Sequence, residues 1–112
     1  MAVEDGVLTA ATSANWDSEV AQSNTLSMVL FWAEWCEPCA AMNETLRQLA
    51  KDYVGKVHFF TVNVDQEGGI TSKYRVSIVP TIMCFRRGQK LHEMICSATR
   101  EQLVAPIEVL TN

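Results

Sequence analysis

The chain has 112 residues, 48% of them hydrophobic and 20% charged, a length and balance suited to one folded domain with a core of its own. Nine Lys and Arg against thirteen Asp and Glu give a formal charge of -4, and only Arg86 and Arg87 stand together, so nucleic acid is not an expected partner. The opening "MAVEDGVLTAATSANW" has two early acids and no apolar leader, and no apolar run reaches the roughly 20 residues that span a bilayer. A soluble, cytoplasmic protein with no membrane partner is therefore the expectation, and in that reducing setting four cysteines are ordinarily catalytic, metal-binding or simply buried.

Taken in chain order, residues 6–10 read as an edge strand. Thr12 and Ser13 offer capping oxygens to a helix that carries Trp16 and Val20 four positions apart and fades in the polar "QSNT". Residues 27–33, "SMVLFWA", form a continuous apolar run of strand length, which predicts a central strand covered on both faces. From 38 to 53 the apolar residues Met42, Leu46, Leu49 and Tyr53 recur at helical intervals, and Pro38 suits the first turn because its missing N–H would have had no partner there. The β-branched and aromatic "VHFFTVNVD" at 57–65 reads as the next strand, closed by a turn at Gly68 and Gly69 and followed by a short helix at 70–74.

Residues 81–85 and 91–96 are two further strands, joined by "RRGQ" at a separation that favours an antiparallel hairpin. Thr99 with Gln102 makes a capping-box pattern for a last helix, in which Pro106 is expected to kink or interrupt the ladder. The resulting order, β-α-β-α-β-α-β-β-α, predicts an α/β fold over residues 1–112: a central mixed sheet of about five strands flanked by about four helices.

The stretch "FWAEWCEPCAAMN" places Cys36 at the start of the predicted helix and Cys39 three positions on, on the same face, where neighbouring Cβ atoms lie roughly 5–6 Å apart. A small rotation brings such a pair within disulfide range. Free N–H groups and the positive end of the helix favour a thiolate at Cys36, which makes it the nucleophile, while Cys39 is placed to attack a mixed disulfide and release the reduced substrate.

Together with "VNVDQ", "KYRVSIVPT" and the "RRGQ" hairpin, this motif resembles thioredoxin over nearly the whole chain. The resemblance implies a thioredoxin fold and a protein-disulfide reductase in which Cys36 attacks and Cys39 resolves. It implies that Trp35, Glu37, Pro38, Val79, Pro80 and Cys96 line the substrate surface, with Pro80 as a cis-proline opposite the dithiol. A cis bond suits Val79–Pro80 because only proline makes that isomer inexpensive, and the backbone at Val79 is then free to pair with an extended substrate segment. A lowered thiol pKa in this motif is a known property of thioredoxin and is carried over with the resemblance. No bound cofactor is implied. The implied partners are disulfide-containing proteins and, as electron donor, a thioredoxin reductase or a low-molecular-weight thiol.

The chain departs from the family pattern at four positions. Leu30 stands where a buried Asp usually assists the resolving thiol, and Thr61 where a Lys usually partners that Asp. Glu37 replaces a glycine between the cysteines; its charge suits the helix start yet opposes a thiolate at Cys36. Cys96 replaces a glycine of the substrate surface and narrows the groove. With "CAAMNE" and "QLAK", these departures are also similar to the thioredoxin-like domains of multidomain monothiol glutaredoxins, which implies an alternative: a docking domain, partnered by a glutaredoxin domain, in iron-sulfur cluster or iron handling.

The remaining candidates read more plainly. Cys84, inside "TIMCF", is the small core residue that a free cysteine commonly is. A four-cysteine zinc site wants a second close pair, whereas Cys84 and Cys96 have eleven residues between them, so no metal is expected. His58 and His92 lack ligand-spaced neighbours, and Phe31, Trp32 and Phe59 are expected in the core, leaving Trp35 as the contact aromatic.

Overall fold

In the computed structural model, which describes residues 6–111, the apolar run expected to be central is the middle strand of a five-stranded sheet. The strands are β1 (Leu8–Ala10), β2 (Leu26–Trp32), β3 (Val57–Asn63), β4 (Thr81–Arg86) and β5 (Gln89–Ile95), in the spatial order β1-β3-β2-β4-β5. β1 and β2 run parallel to β3, β4 runs antiparallel to β2, and β5 antiparallel to β4, which makes the sheet mixed as predicted. The helices are α1 (Glu37–Asp52), α2 (Gly68–Lys73) and α3 (Arg100–Thr111), with a wide helical turn at Asp17–Ala21.

The two-residue period of β2 explains why its apolar run is unbroken. Leu26, Met28 and Leu30 point to one face, where Leu46 and Leu49 of α1 and Leu103 and Ile107 of α3 cover them. Val29 and Phe31 point to the other, where Val20, Ile70 and Phe85 meet them. Ser27 is the buried polar exception. With both faces covered, water selects for apolar residues at nearly every position.

Where the elements differ from expectation, local hydrogen bonding gives the reason. Thr12 does not cap the helical turn, which begins after Trp16 with no side-chain cap; its Oγ1 instead accepts from the Ala14 N–H at 3.2 Å, while Asn15 Oδ1 accepts from the Thr12 N–H at 2.8 Å, a local turn ahead of it. The chain then widens, with the Gln22 N–H reaching back five residues to the Asp17 carbonyl at 3.0 Å, so no regular helix forms there. Gly68 and Gly69 do not close β3; they begin α2. The turn occurs earlier because Asn63 makes it, its Oδ1 accepting from the Asp65 N–H at 3.0 Å and its carbonyl from Gln66 and Glu67.

The β4–β5 hairpin turns on Arg87 and Gly88 alone, both with positive φ (53° and 77°), the backbone that a two-residue hairpin requires. β5 therefore starts two residues earlier than predicted and stops at Ile95, leaving Cys96 outside it. The capping box at α3 is formed: the Thr99 N–H donates to Gln102 Oε1 at 2.8 Å and the Gln102 N–H to Thr99 Oγ1 at 3.2 Å. The helix runs through Pro106 as one element instead of stopping there, with the proline ring buried.

Candidate redox site

β2 delivers the chain to the edge of the sheet and a tight turn sends it into α1. The Cys36 N–H closes that turn on the Ala33 carbonyl at 3.1 Å, and Cys36 itself is extended (φ -89°, ψ 103°) as the residue capping α1. Pro38 has no N–H to satisfy, and the Cys39 N–H donates to the Cys36 carbonyl at 3.2 Å. Cys36 and Cys39 are joined in a disulfide with their Cα atoms 5.4 Å apart. The pair sits in a small apolar cluster with Ala33, against which Trp32, Val64 and Val79 pack. Cys36 is 7% exposed and Cys39 1%, so an incoming molecule meets Cys36 first.

The loop before β4 brings the second half of the site. Val79–Pro80 is cis, and Val79 is among the residues packed on the cysteine cluster. Thr81 Oγ1 donates to the Ile78 carbonyl at 2.6 Å, and the Pro80 carbonyl accepts from the Cys96 N–H at 2.8 Å, fixing Cys96 beside the proline. Cys96 is exposed and holds φ 74°, a backbone that glycine adopts freely and other residues seldom do. Glu37 and Pro38 are exposed in the first turn of α1. Trp35 is 70% exposed, and its Nε1–H donates to Asp65 Oδ2 at 2.8 Å. Sequence reasoning gave Asp65 no role; an acid just past the end of a strand parallel to the one preceding the motif was the available signal.

Leu30 and Thr61 are direct register partners on β2 and β3, as the paired departure from the family pattern requires. Leu30 is fully buried in the α1 face of the core. Cys84 lies in the core of β4, paired across the sheet with Met28, and burial pushes its thiol up to about 12. Among the described residues no group of three or more His, Cys, Asp or Glu is placed to hold a metal.

A strand-to-helix disulfide facing a cis-proline across the end of a mixed five-stranded sheet defines a redox protein of the thioredoxin-fold class. The chain matches the Thioredoxin family over residues 7–109, and it belongs to that family. It is similar to thioredoxin M4, chloroplastic, of Arabidopsis thaliana, with 35% identity over 87% of this chain and 50% of that protein. It is similar also to thioredoxin M5, chloroplastic, of Oryza sativa subsp. japonica, with 36% identity over 88% of this chain and 57% of that one. The chain thus spans about half the length of these plant relatives. A thioredoxin of Chlorobaculum thiosulfatiphilum matches at 31% identity over 88% of this chain and 91% of its own. A mutant thioredoxin from Halobacterium salinarum superposes with a TM-score of 0.87 over 98% of this chain and 96% of that one; at 23% identity it speaks for the fold.

Proposed function

We propose that this chain is a thiol-disulfide oxidoreductase that reduces protein disulfides. The observation that carries the reading is the Cys36–Cys39 disulfide, with Cys36 on the open side and Cys39 behind it. In the reduced form the Cys36 thiolate attacks a substrate disulfide, forming a Cys36–substrate disulfide and expelling one substrate thiolate. The Cys39 thiolate then attacks Cys36 Sγ, restores the internal disulfide and releases the second substrate thiolate. A reductase or low-molecular-weight thiol returns two electrons, and no bound cofactor enters.

The surrounding residues support an extended substrate. Among the described residues the backbone N–H and C=O of Val79 have no partner, which leaves them for a strand of substrate. Exposed Trp35, one residue before Cys36, and exposed Cys96, held beside Pro80, are the side chains we assign to substrate contact. The cytoplasm is our proposed compartment. The docking role beside a glutaredoxin domain is not favoured, since both cysteines are present and paired and the relatives named above are thioredoxins.

Reduction of a purified disulfide-bonded protein such as insulin, with dithiothreitol or a thioredoxin reductase as donor, tests the reading. Cys36→Ser is expected to abolish turnover and Cys39→Ser to accumulate mixed disulfides visible by mass. Undiminished turnover by Cys36→Ser overturns the assignment.

A further inference from the structure

Resolution requires the Cys39 proton to leave, and Cys39 is 1% exposed with the usual carboxylate replaced by buried Leu30. Beside the disulfide, however, lies a cleft of about 530 Å³ between α1 and the β1–β3 edge of the sheet, and both Cys36 and Cys39 line it. Small side chains leave the room: Ala10 of β1, Ala33 before the motif and Ala40 of α1. The cleft's polar wall consists of Glu34, Asn43, Arg47 and Thr61, of which Glu34 and Arg47 are the charged groups among the described residues.

Three observations single out Thr61 and Arg47. Thr61 shares the strand face of Val57 and Phe59, so its side chain is directed to α1, and it is flanked in register by Ala10 and Leu30. It is 9% exposed and lines the cleft, where water can reach its hydroxyl, and among the described residues that hydroxyl makes no hydrogen bond to another side chain or to the backbone. Cys39, Asn43 and Arg47 follow one another at intervals of four, one row on α1, and all three line the cleft. Asn43 Nδ2 donates to the Cys39 carbonyl at 3.4 Å, so the row is in contact at its first step.

We infer that the Thr61 hydroxyl is a positioning residue for the Cys39 proton and that Arg47 supplies the positive charge favouring the Cys39 thiolate. This deepens the oxidoreductase reading and rests on it. The proton passes from Cys39 Sγ to water ordered by the Thr61 hydroxyl, which donates and accepts at once, and out through the cleft. The thiolate so formed attacks Cys36 Sγ; the bond from Cys36 to the substrate sulfur breaks, and that sulfur leaves with the electron pair. Glu34 opposes the field of Arg47, so the net effect is modest and sensitive to salt.

The test uses a chromogenic aromatic disulfide in stoichiometric amount, mixed rapidly with reduced protein whose Cys96 was alkylated while the active-site pair was oxidised. One equivalent of aromatic thiolate reports attack by Cys36 and a second, concentration-independent equivalent reports resolution by Cys39. If the two equivalents do not appear in the parent protein, the oxidoreductase reading itself fails. If they do, Thr61→Val is expected to slow the second phase about tenfold near neutral pH, equivalent to about 1.4 kcal/mol, with Thr61→Ser close to the parent. The gap between Thr61→Val and the parent should close at high pH, where hydroxide removes the proton directly. Arg47→Gln is expected to slow the same phase about threefold and to abolish its salt dependence. A second phase equal to the parent's in both Thr61→Val and Arg47→Gln overturns the inference, as does a Thr61→Val loss that is the same at every pH.

Discussion

Leu30→Asp puts a carboxyl where the family usually keeps one, in a protein that has filled the position with apolar volume. Leu30 is fully buried and packs with residues of α1 and α3. Losing a core leucine to a smaller residue costs about 3–5 kcal/mol, and the partial refilling by Asp, with the Thr61 hydroxyl beside it, points to about 3 kcal/mol while the acid is neutral. Ionising it costs more. Burial raises its folded pKa above the unfolded value of about 3.9, and a shift of about three units is ordinary for such a site. The folded state then holds the proton more tightly than the unfolded one, so stability is retained at low pH. It falls by about 1.4 kcal/mol per unit as pH rises from about 3.9 toward the folded value.

Urea unfolding of oxidised parent and variant, followed by tryptophan emission at pH 5 and pH 7.5, measures this directly. The stability gap between the two proteins should widen by about 2.4 kcal/mol from the first pH to the second, a large share of the roughly 5–15 kcal/mol that holds a domain of this size together. An equal gap at both pH values would falsify the reasoning, because it would mean that the new carboxylate reaches water and that Leu30 belongs to the wetted cleft instead of the dry core.

Two further outcomes follow from burial and backbone geometry. In the oxidised native protein at pH 8, an alkylating reagent should take one equivalent, at exposed Cys96; Cys84, with its thiol pushed up to about 12, holds about one thiolate in ten thousand and should react only after unfolding, as mass spectrometry will register. Rapid native labelling of Cys84 would contradict the closed β2–β4 core. Gly88→Ala should destabilise by about 1–2 kcal/mol or more, since φ is 77° there and an added Cβ meets the Ala21 carbonyl oxygen at 3.0 Å, a backbone atom that cannot step aside cheaply. A urea midpoint unchanged from the parent would rule out that contact.

The parts of the fold that sequence patterning reached are those in which a single physical demand governs several neighbouring residues. β2 is legible because both of its faces are covered, and α1 because Met42, Leu46 and Leu49 keep one face of a helix apolar. The start of α3 is legible because Thr99 and Gln102 satisfy each other within one turn. β5 lies at the edge of the sheet and is exposed along nearly its whole length, so no hydrophobic alternation marks its ends; the turn at Arg87 and Gly88 sets them. Gly68 and Gly69 read as a turn on composition, but the Asn63 side chain had already made the turn, starting five residues before Gly68. Within the site, Cys36, Cys39 and Pro80 announce themselves through local chemistry. Asp65, Asn43 and Arg47 look like ordinary solvated positions until the strands and α1 bring them round the disulfide.

The joint absence of the Asp and the Lys follows from their register. Leu30 and Thr61 face one another across β2 and β3. A buried carboxylate alone, or a buried ammonium alone, leaves an uncompensated charge that costs several kcal/mol, whereas replacing both by an apolar residue and a small hydroxyl is close to neutral or stabilising. Single replacement is therefore selected against and double replacement tolerated, which accounts for finding the two departures at paired positions. The exchange keeps the core dry at Leu30 and removes the internal proton acceptor from behind Cys39. On the inference drawn above, a protein that retains both cysteines after that exchange passes the Cys39 proton to water through the cleft lined by Thr61, Asn43, Arg47 and Glu34. Slow resolution at low pH, recovering as the solution itself becomes a better base, is the kinetic behaviour expected on that inference, and the pH profile of the second thiolate-release phase measures it.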